Sequence, residues 1–212
     1  FVGAGLLSFP QALGVIFGAN IGTTVTGWMV ALLGFKLKLG LIALPGLFVA
    51  ALVSLLGPAR LARGGRAGAG LCLLFIGLDM MQSGVAGAEG ILTPEILPQD
   101  TTLGRILLVG IGTAVTIVMQ SSSAGIAMAL VLLSGGAVSF AQAAAMLIGM
   151  KLGSTFTALL ASVGGSAAMR QTAVANLVFN LGTVMIAFPF LDLVAPLLAA
   201  TALGADPPSA LV

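Results

Sequence analysis

Apolar residues run through this chain in long stretches, and short polar or glycine-rich clusters interrupt them. Phe1 to Leu7 reads as the end of an apolar helix. Ser8-Phe9-Pro10-Gln11 is a polar turn, with Ser8 placed to cap and Pro10 suited to a first helical turn. Residues 12–35 form a predicted broken helix. Its two short arms are separated by Gly18-Ala19-Asn20-Ile21-Gly22-Thr23-Thr24-Val25-Thr26, and Lys36 and Lys38 end it. Residues 39–56 are a span containing Pro45. Residues 57–66 are a loop with Arg60, Arg63 and Arg66, and 67–85 are a further span with Asp79 near its end. The long polar connection 86–102 holds Glu89, Glu95 and Asp100. After it come a helical hairpin over 103–133, a second broken helix over 140–162, a loop over 164–170, a final span over 172–200 with Pro189, and a frayed tail over 204–212.

The chain is organised around the hairpin tip, Val118-Met119-Gln120-Ser121-Ser122-Ser123-Ala124. Apolar arms flank it, each about ten to fourteen residues. That is short of the roughly 20 helical residues that cross a bilayer. Two short arms meeting at a polar tip predict a re-entrant hairpin. Non-helical backbone at membrane depth survives only where protein or a water-filled cavity covers it, so the tip is expected to line a site.

Composition places the whole chain in lipid. Of its 212 residues, 59% are hydrophobic and only 7% charged, and the mean hydropathy is +1.20. Soluble domains carry about a quarter charged residues. The 30 glycines suit close helix packing in a membrane. There is no histidine, and Cys72 is the single cysteine, which leaves no thiolate metal site or disulfide. The net charge of +2 points to no nucleic acid; the few cations serve as topology signals. The expected location is the cell (inner) membrane, crossed several times.

The chain also repeats itself. Ser8-Phe9-x-Gln11-Ala12 recurs as Ser139-Phe140-x-Gln142-Ala143, and Gly18-x-x-x-Gly22-Thr23-Thr24-Val25-Thr26 as Gly149-x-x-x-Gly153-Ser154-Thr155-Phe156-Thr157. Both pairs have the same offset, from 8 to 139 and from 22 to 153. This is a two-fold duplication. A partner for Gln120 at that offset falls before residue 1, so the expectation is a fragment whose first hairpin has been cut away. The expected divisions are 1–56, the remainder of the first repeat; 57–102, a connecting segment and external loop; 103–200, the second repeat; and 201–212, the tail. Putting the arginine loop 57–66 in the cytoplasm places the acidic connection outside, with Lys36 and Lys38 also outside. The two broken helices then run in opposite directions. The predicted fold is therefore all-α: a polytopic membrane protein with inverted-topology repeats, a re-entrant helical hairpin and discontinuous transmembrane helices.

Gln120-Ser121-Ser122-Ser123 and the segment Gly18 to Thr26 together resemble the paired signatures of the type II sodium/phosphate cotransporters. Phe75-Ile76-Gly77-Leu78-Asp79-Met80-Met81 resembles that family's segment between the repeats. The resemblance implies sodium-coupled import of inorganic phosphate by alternating access. It implies phosphate at Gln120, Ser121, Ser122, Ser123, Thr23, Ser154 and Thr155, and sodium at Asn20, Thr24, Gln120 and Ser123. Three features depart from the family: the first hairpin, the missing C-terminal regulatory domain, and Lys151, which stands where the second Gly-x-Asn-x-Gly signature has Asn.

The residues themselves support that chemistry. Serines at the start of a half-helix combine free N–H groups, hydroxyls and a dipole that favours anions. Sodium takes hydroxyl, amide and carbonyl oxygens, and no carboxylate is needed. The resemblance implies sodium as coupling ion, with phosphate, sodium and the bilayer as partners; no cofactor is expected, and a homodimer is compatible with the sequence. Lys151 is read as a modulator of coupling, with snorkelling to the interface as its structural alternative. Asn176 and Asn180 are read as interhelical hydrogen-bonding residues. An intramembrane hydrolase would need a base beside its serine, and with no histidine only Lys151 could serve, so an enzyme is not expected. A channel, or a sodium-coupled transporter of another anion, is the alternative function.

Overall fold

The computed structural model describes residues 1–31, 40–88 and 93–202, with only the backbone at 40, 192 and 194–202. The predicted outward Lys36 and Lys38, Glu89 and the tail 204–212 lie outside the described residues. The described chain is all-helical: α1 Phe9–Met29, α2 Gly40–Leu56, α3 Ala59–Gly87, α4 Thr102–Met119, α5 Ser122–Ser134, α6 Phe140–Ser162 and α7 Ala167–Ala202. One short 3-10 turn, Pro94–Ile96, lies in the connection before α4. Four of these helices, α3, α4, α6 and α7, are long and apolar enough to cross a membrane. Large apolar side chains such as Trp28, Leu41 and Val118 stay exposed, as they do where lipid is the solvent.

Both repeats start with the predicted cap. At α6 the Ser139 N–H donates to Gln142 Oε1 at 2.8 Å, and the Gln142 N–H donates to Ser139 Oγ at 3.2 Å. At α1 both the N–H and the hydroxyl of Ser8 donate to Gln11 Oε1 at 2.9 Å. The α6 pair is reciprocal, and at both helix starts the glutamine oxygen takes the serine N–H. Gln142 does more: buried at 3% exposure, its amide donates to the carbonyls of Pro94 and Pro98, which fastens the connection against α6.

Several expected boundaries are corrected. The predicted breaks at 18–26 and 149–157 are absent, because α1 and α6 run through them as uninterrupted helices. The polar side chains there find carbonyls in their own helix. Thr23 donates to Ala19, Asn20 to Ile16, Ser154 to Lys151, Thr155 to Leu152 and Thr157 to Ser154. Such back-bonding satisfies a hydroxyl without breaking the helix. The first hairpin arm is longer than expected. α4 has 18 residues, about 27 Å at 1.5 Å per residue, so it has the length of a span. The arginine segment 57–66 is not a loop, since α3 begins at Ala59 directly after Pro58 and carries all three arginines on its exposed first turns. Asp79 lies inside α3, exposed, eight residues before its end. The final span starts at Ala167 and passes through Pro189 without interruption.

α4 and α6 form the closest seam. A Cβ on Gly112 would run into the carbonyl oxygen of Met146, and one on Gly149 into that of Val109. Only glycine allows the two backbones to approach this far. Thr113 crosses the seam, its hydroxyl donating to Val109 in its own helix and to Gly149 at 2.9 Å. Leu108, Ala145, Met146 and Met150 fill the space behind, with Ala129 of α5 and Leu191 of α7. A second apolar cluster joins α2 and α3 to α5 through Ala43, Phe75, Leu78, Ala127 and Val131. α5 is thus wedged between the two clusters, and its N-terminus is held against α6 and α1.

Candidate functional site

The chain does break at the serine run. α4 ends at Met119, Gln120 takes the left-handed conformation with φ 53°, and α5 begins at Ser122. The Gln120 N–H still donates to Thr116, which closes the last turn of α4. Ser121 caps α5: its hydroxyl oxygen accepts from the Ala124 N–H at 3.2 Å and its carbonyl from Gly125. The turn places Ser122, the first residue of α5, among α1, α6 and α7.

A cavity of about 220 Å³ opens there. It is lined by Ile16, Ala19, Asn20 and Thr23 of α1, Ser122 of α5, Lys151 and Ser154 of α6, and Asn176 of α7. That space admits a small ion with part of its hydration shell. Repeat mates meet in it: the Lys151 ammonium points at the Asn20 carbonyl oxygen, 3.5 Å away, across the same 131-residue offset that relates the two sequences. Lys151 is half-buried, and among the described residues no carboxylate pairs with it. All other lining groups are neutral.

The predicted residues divide cleanly. Asn20, Thr23, Ser122, Ser154 and Lys151 share the small cavity. Thr24 is exposed and lines a larger, mostly apolar cavity of about 640 Å³, which also touches Thr23 and Lys151. Gln120 is exposed, Ser121 is engaged as the α5 cap, and Ser123 lines neither cavity. Thr155 is fully buried with its hydroxyl on Leu152, away from both cavities. The four sodium candidates Asn20, Thr24, Gln120 and Ser123 are therefore not gathered around one cavity.

Asn176, read from the sequence as an interhelical hydrogen-bonding residue and not as a site residue, lines the cavity. Asn180, buried at 2% exposure, donates to the carbonyl and Oδ1 of Asn176 at 2.9 Å. These bonds lie within α7 and do not cross between helices, which corrects the interhelical assignment. They hold the Asn176 side chain, which lines the cavity. The spacing of two asparagines one turn apart was the available signal.

The set suits an oxyanion. It offers the Lys151 ammonium, the Ser122 hydroxyl and two asparagine side chains, while the Thr23 and Ser154 hydroxyls already donate to carbonyls of their own helices and face the cavity as acceptors. Among the described residues no group of three His, Cys, Asp or Glu could hold a metal ion. Any cation here would rely on neutral oxygens such as those of Asn20, Thr23, Ser122 and Ser154.

The sequence profile of the Na+/Pi-cotransporter family matches residues 1–83 and 88–201. The chain is 31% identical over 198 residues to the "Uncharacterized protein YqeW" of Bacillus subtilis (strain 168), covering 90% of this chain and 61% of that protein. It is 29% identical over 197 residues to the "Putative inorganic phosphate export protein YjbB" of Escherichia coli (strain K12), covering 92% of this chain and 35% of that protein. A Salmonella typhimurium protein of the same name is 29% identical over 200 residues, covering 93% of this chain and 36% of that protein. The chain thus spans less than two thirds of the length of these relatives. No solved structure shows a significant match. With the profile covering nearly its whole length, and with the polar cavity and the serine turn where that profile runs, this multi-pass membrane chain belongs to the Na+/Pi-cotransporter family.

Proposed function

We propose that the chain carries the binding site of a protein that moves inorganic phosphate across the cell (inner) membrane, with sodium as coupling ion, by alternating access. The supporting observation is the cavity where Ser122, Asn20, Thr23, Ser154, Asn176 and the unneutralised Lys151 converge. A half-buried ammonium without a carboxylate is costly, and an anion relieves that cost. Donors from α1, α5, α6 and α7 surround the anion; Gln120, Ser121 and Ser123 contribute through the turn that aims Ser122, and Thr155 through packing. Sodium binds at neutral oxygens away from the Lys151 ammonium, with Thr24, Gln120 and Ser123 recruited as the turn moves. The two repeats are inverted in this reading, and the hairpin 103–133 re-enters the membrane. The arginine end of α3 faces the cytoplasm. A homodimer fits this arrangement, and no catalytic step is required.

Two directions of flux are open. The family description names sodium and phosphate together without a direction, whereas the printed names of the relatives from Escherichia coli and Salmonella typhimurium favour export. Labelled phosphate flux in proteoliposomes of the full-length parent protein decides. Import predicts accumulation driven by an inward sodium gradient. Export predicts efflux from loaded vesicles that persists without one. Solute flux indifferent to sodium and unsaturable by phosphate would indicate a channel and end the transporter reading.

A further inference from the structure

We propose that the Lys151 side chain supplies a built-in counter-charge for the transported anion at the place where a bound sodium ion would otherwise stand, so that one fewer sodium ion accompanies each phosphate. The inference rests on the phosphate reading of the cavity. It is carried by where the ammonium sits. Lys151 Nζ lies 3.5 Å from the carbonyl oxygen of Asn20, a residue that lines this cavity and that the resemblance assigns to sodium. An ammonium and a sodium ion both seek oxygen acceptors, and an ammonium has only donors to give. Two like charges within a few ångströms of each other in a weakly screened site repel strongly. A sodium ion at Asn20 and the Lys151 ammonium are therefore mutually exclusive.

The rest of the wall is consistent with a single fixed charge. Ile16, Ala19, Thr23, Ser122, Ser154 and Asn176 are neutral, and among the described residues no ion pair competes for Lys151. A monovalent phosphate is balanced by Lys151 alone, and a divalent one needs one additional cation. Snorkelling to an interface, the structural alternative for a membrane lysine, does not describe this side chain: its ammonium ends on an α1 carbonyl at the cavity wall. Position 151 is also the repeat mate of position 20, so the charge stands on the pseudo-symmetry partner of the residue it touches.

The experiment compares the full-length parent protein in native form with Lys151→Asn and Lys151→Arg variants, reading phosphate flux against sodium concentration in proteoliposomes. The native and Arg forms should share one sodium Hill slope, and the Asn form should show a slope higher by about one, with flux lost in sodium-free choline buffer. Equal slopes in native and Asn forms overturn the inference while leaving phosphate transport standing. No saturable phosphate flux in the native form overturns the transport reading and this inference with it. Because the Asn form can fail to fold, a second measurement uses the native protein alone. In sodium-free buffer, modification of Lys151 by a small amine-reactive reagent, read by mass spectrometry, should slow severalfold when phosphate replaces chloride, with Lys36 and Lys38 unchanged. An unchanged rate at Lys151 overturns the inference.

Discussion

Ser122 is the member of the serine run whose side chain lines the polar cavity, while Ser121 caps α5 and Ser123 lines neither cavity. A hydroxyl lost from a charged ligand is worth about 1.5–3 kcal/mol. Ser122→Ala in the parent protein should therefore raise the phosphate KM by about tenfold or more, and Ser123→Ala by less than about twofold. Uptake assays on the two variants side by side separate a role for one serine from a role for the run, since equal effects would return the site to the whole motif. Gln120 bears a different burden. Its φ of 53° is a left-handed conformation that costs a residue with a Cβ about 1 kcal/mol or more. Gln120→Gly should raise the melting temperature in detergent by a few degrees and slow transport, because the turn that aims Ser122 becomes free to relax. A glycine variant no more stable than the native protein would mean that neighbours hold this turn without strain.

At the scale of elements, the seam between α4 and α6 sets the position of Lys151. Thr113→Val removes the bond to the Gly149 carbonyl, a loss of about 1 kcal/mol, which for a chain of this size lowers the melting temperature by about 2–4 °C. Gly149→Val should do much more, because its side chain has to displace the Val109 carbonyl. Thermal unfolding of both variants in detergent checks the ranking, and a well-tolerated valine at 149 would show that the helices can separate. Much of this architecture was legible beforehand. The repeated Ser-x-x-Gln caps, the stop at Gln120 and the spans around Pro45 and Pro189 follow from local chemistry that acts within a few residues. The supposed breaks at 18–26 and 149–157 did not follow, because a threonine that could line a gap looks the same in sequence as one whose hydroxyl returns to its own helix. Thr155 and Asn176 show the same limit in opposite senses. One matched the motif and is buried on Leu152, and the other matched nothing and reaches the cavity because α7 packs on α6. Which face of a helix meets which neighbour is a tertiary fact.

Across the whole molecule, charge and length together suggest how the chain sits in the bilayer. α3 carries Arg60, Arg63 and Arg66 on its first exposed turns and then a mostly apolar stretch over 67–87 whose one charged residue is Asp79. That stretch is about 31 Å long at 1.5 Å per residue, close to the thickness of the hydrocarbon core. Three cations at a helix N-terminus oppose the helix dipole, so their placement is better explained by the membrane, whose cytoplasmic side favours them. Past α3, Glu95 and the Asp100–Arg105 ion pair lie in and beside the connection that Gln142 fastens to α6, so this connection and the arginine turns lie on opposite faces in the proposed orientation. Single cysteines at the two ends, Arg63→Cys and Gln99→Cys in a Cys72→Ala background of the parent protein, test it directly. A membrane-impermeant maleimide applied to intact cells should label position 99 and leave position 63 unlabelled until the membrane is opened. Labelling at 63 alone would invert the orientation, and labelling at both from outside would remove α3 as a span and with it the opposed directions of α1 and α6.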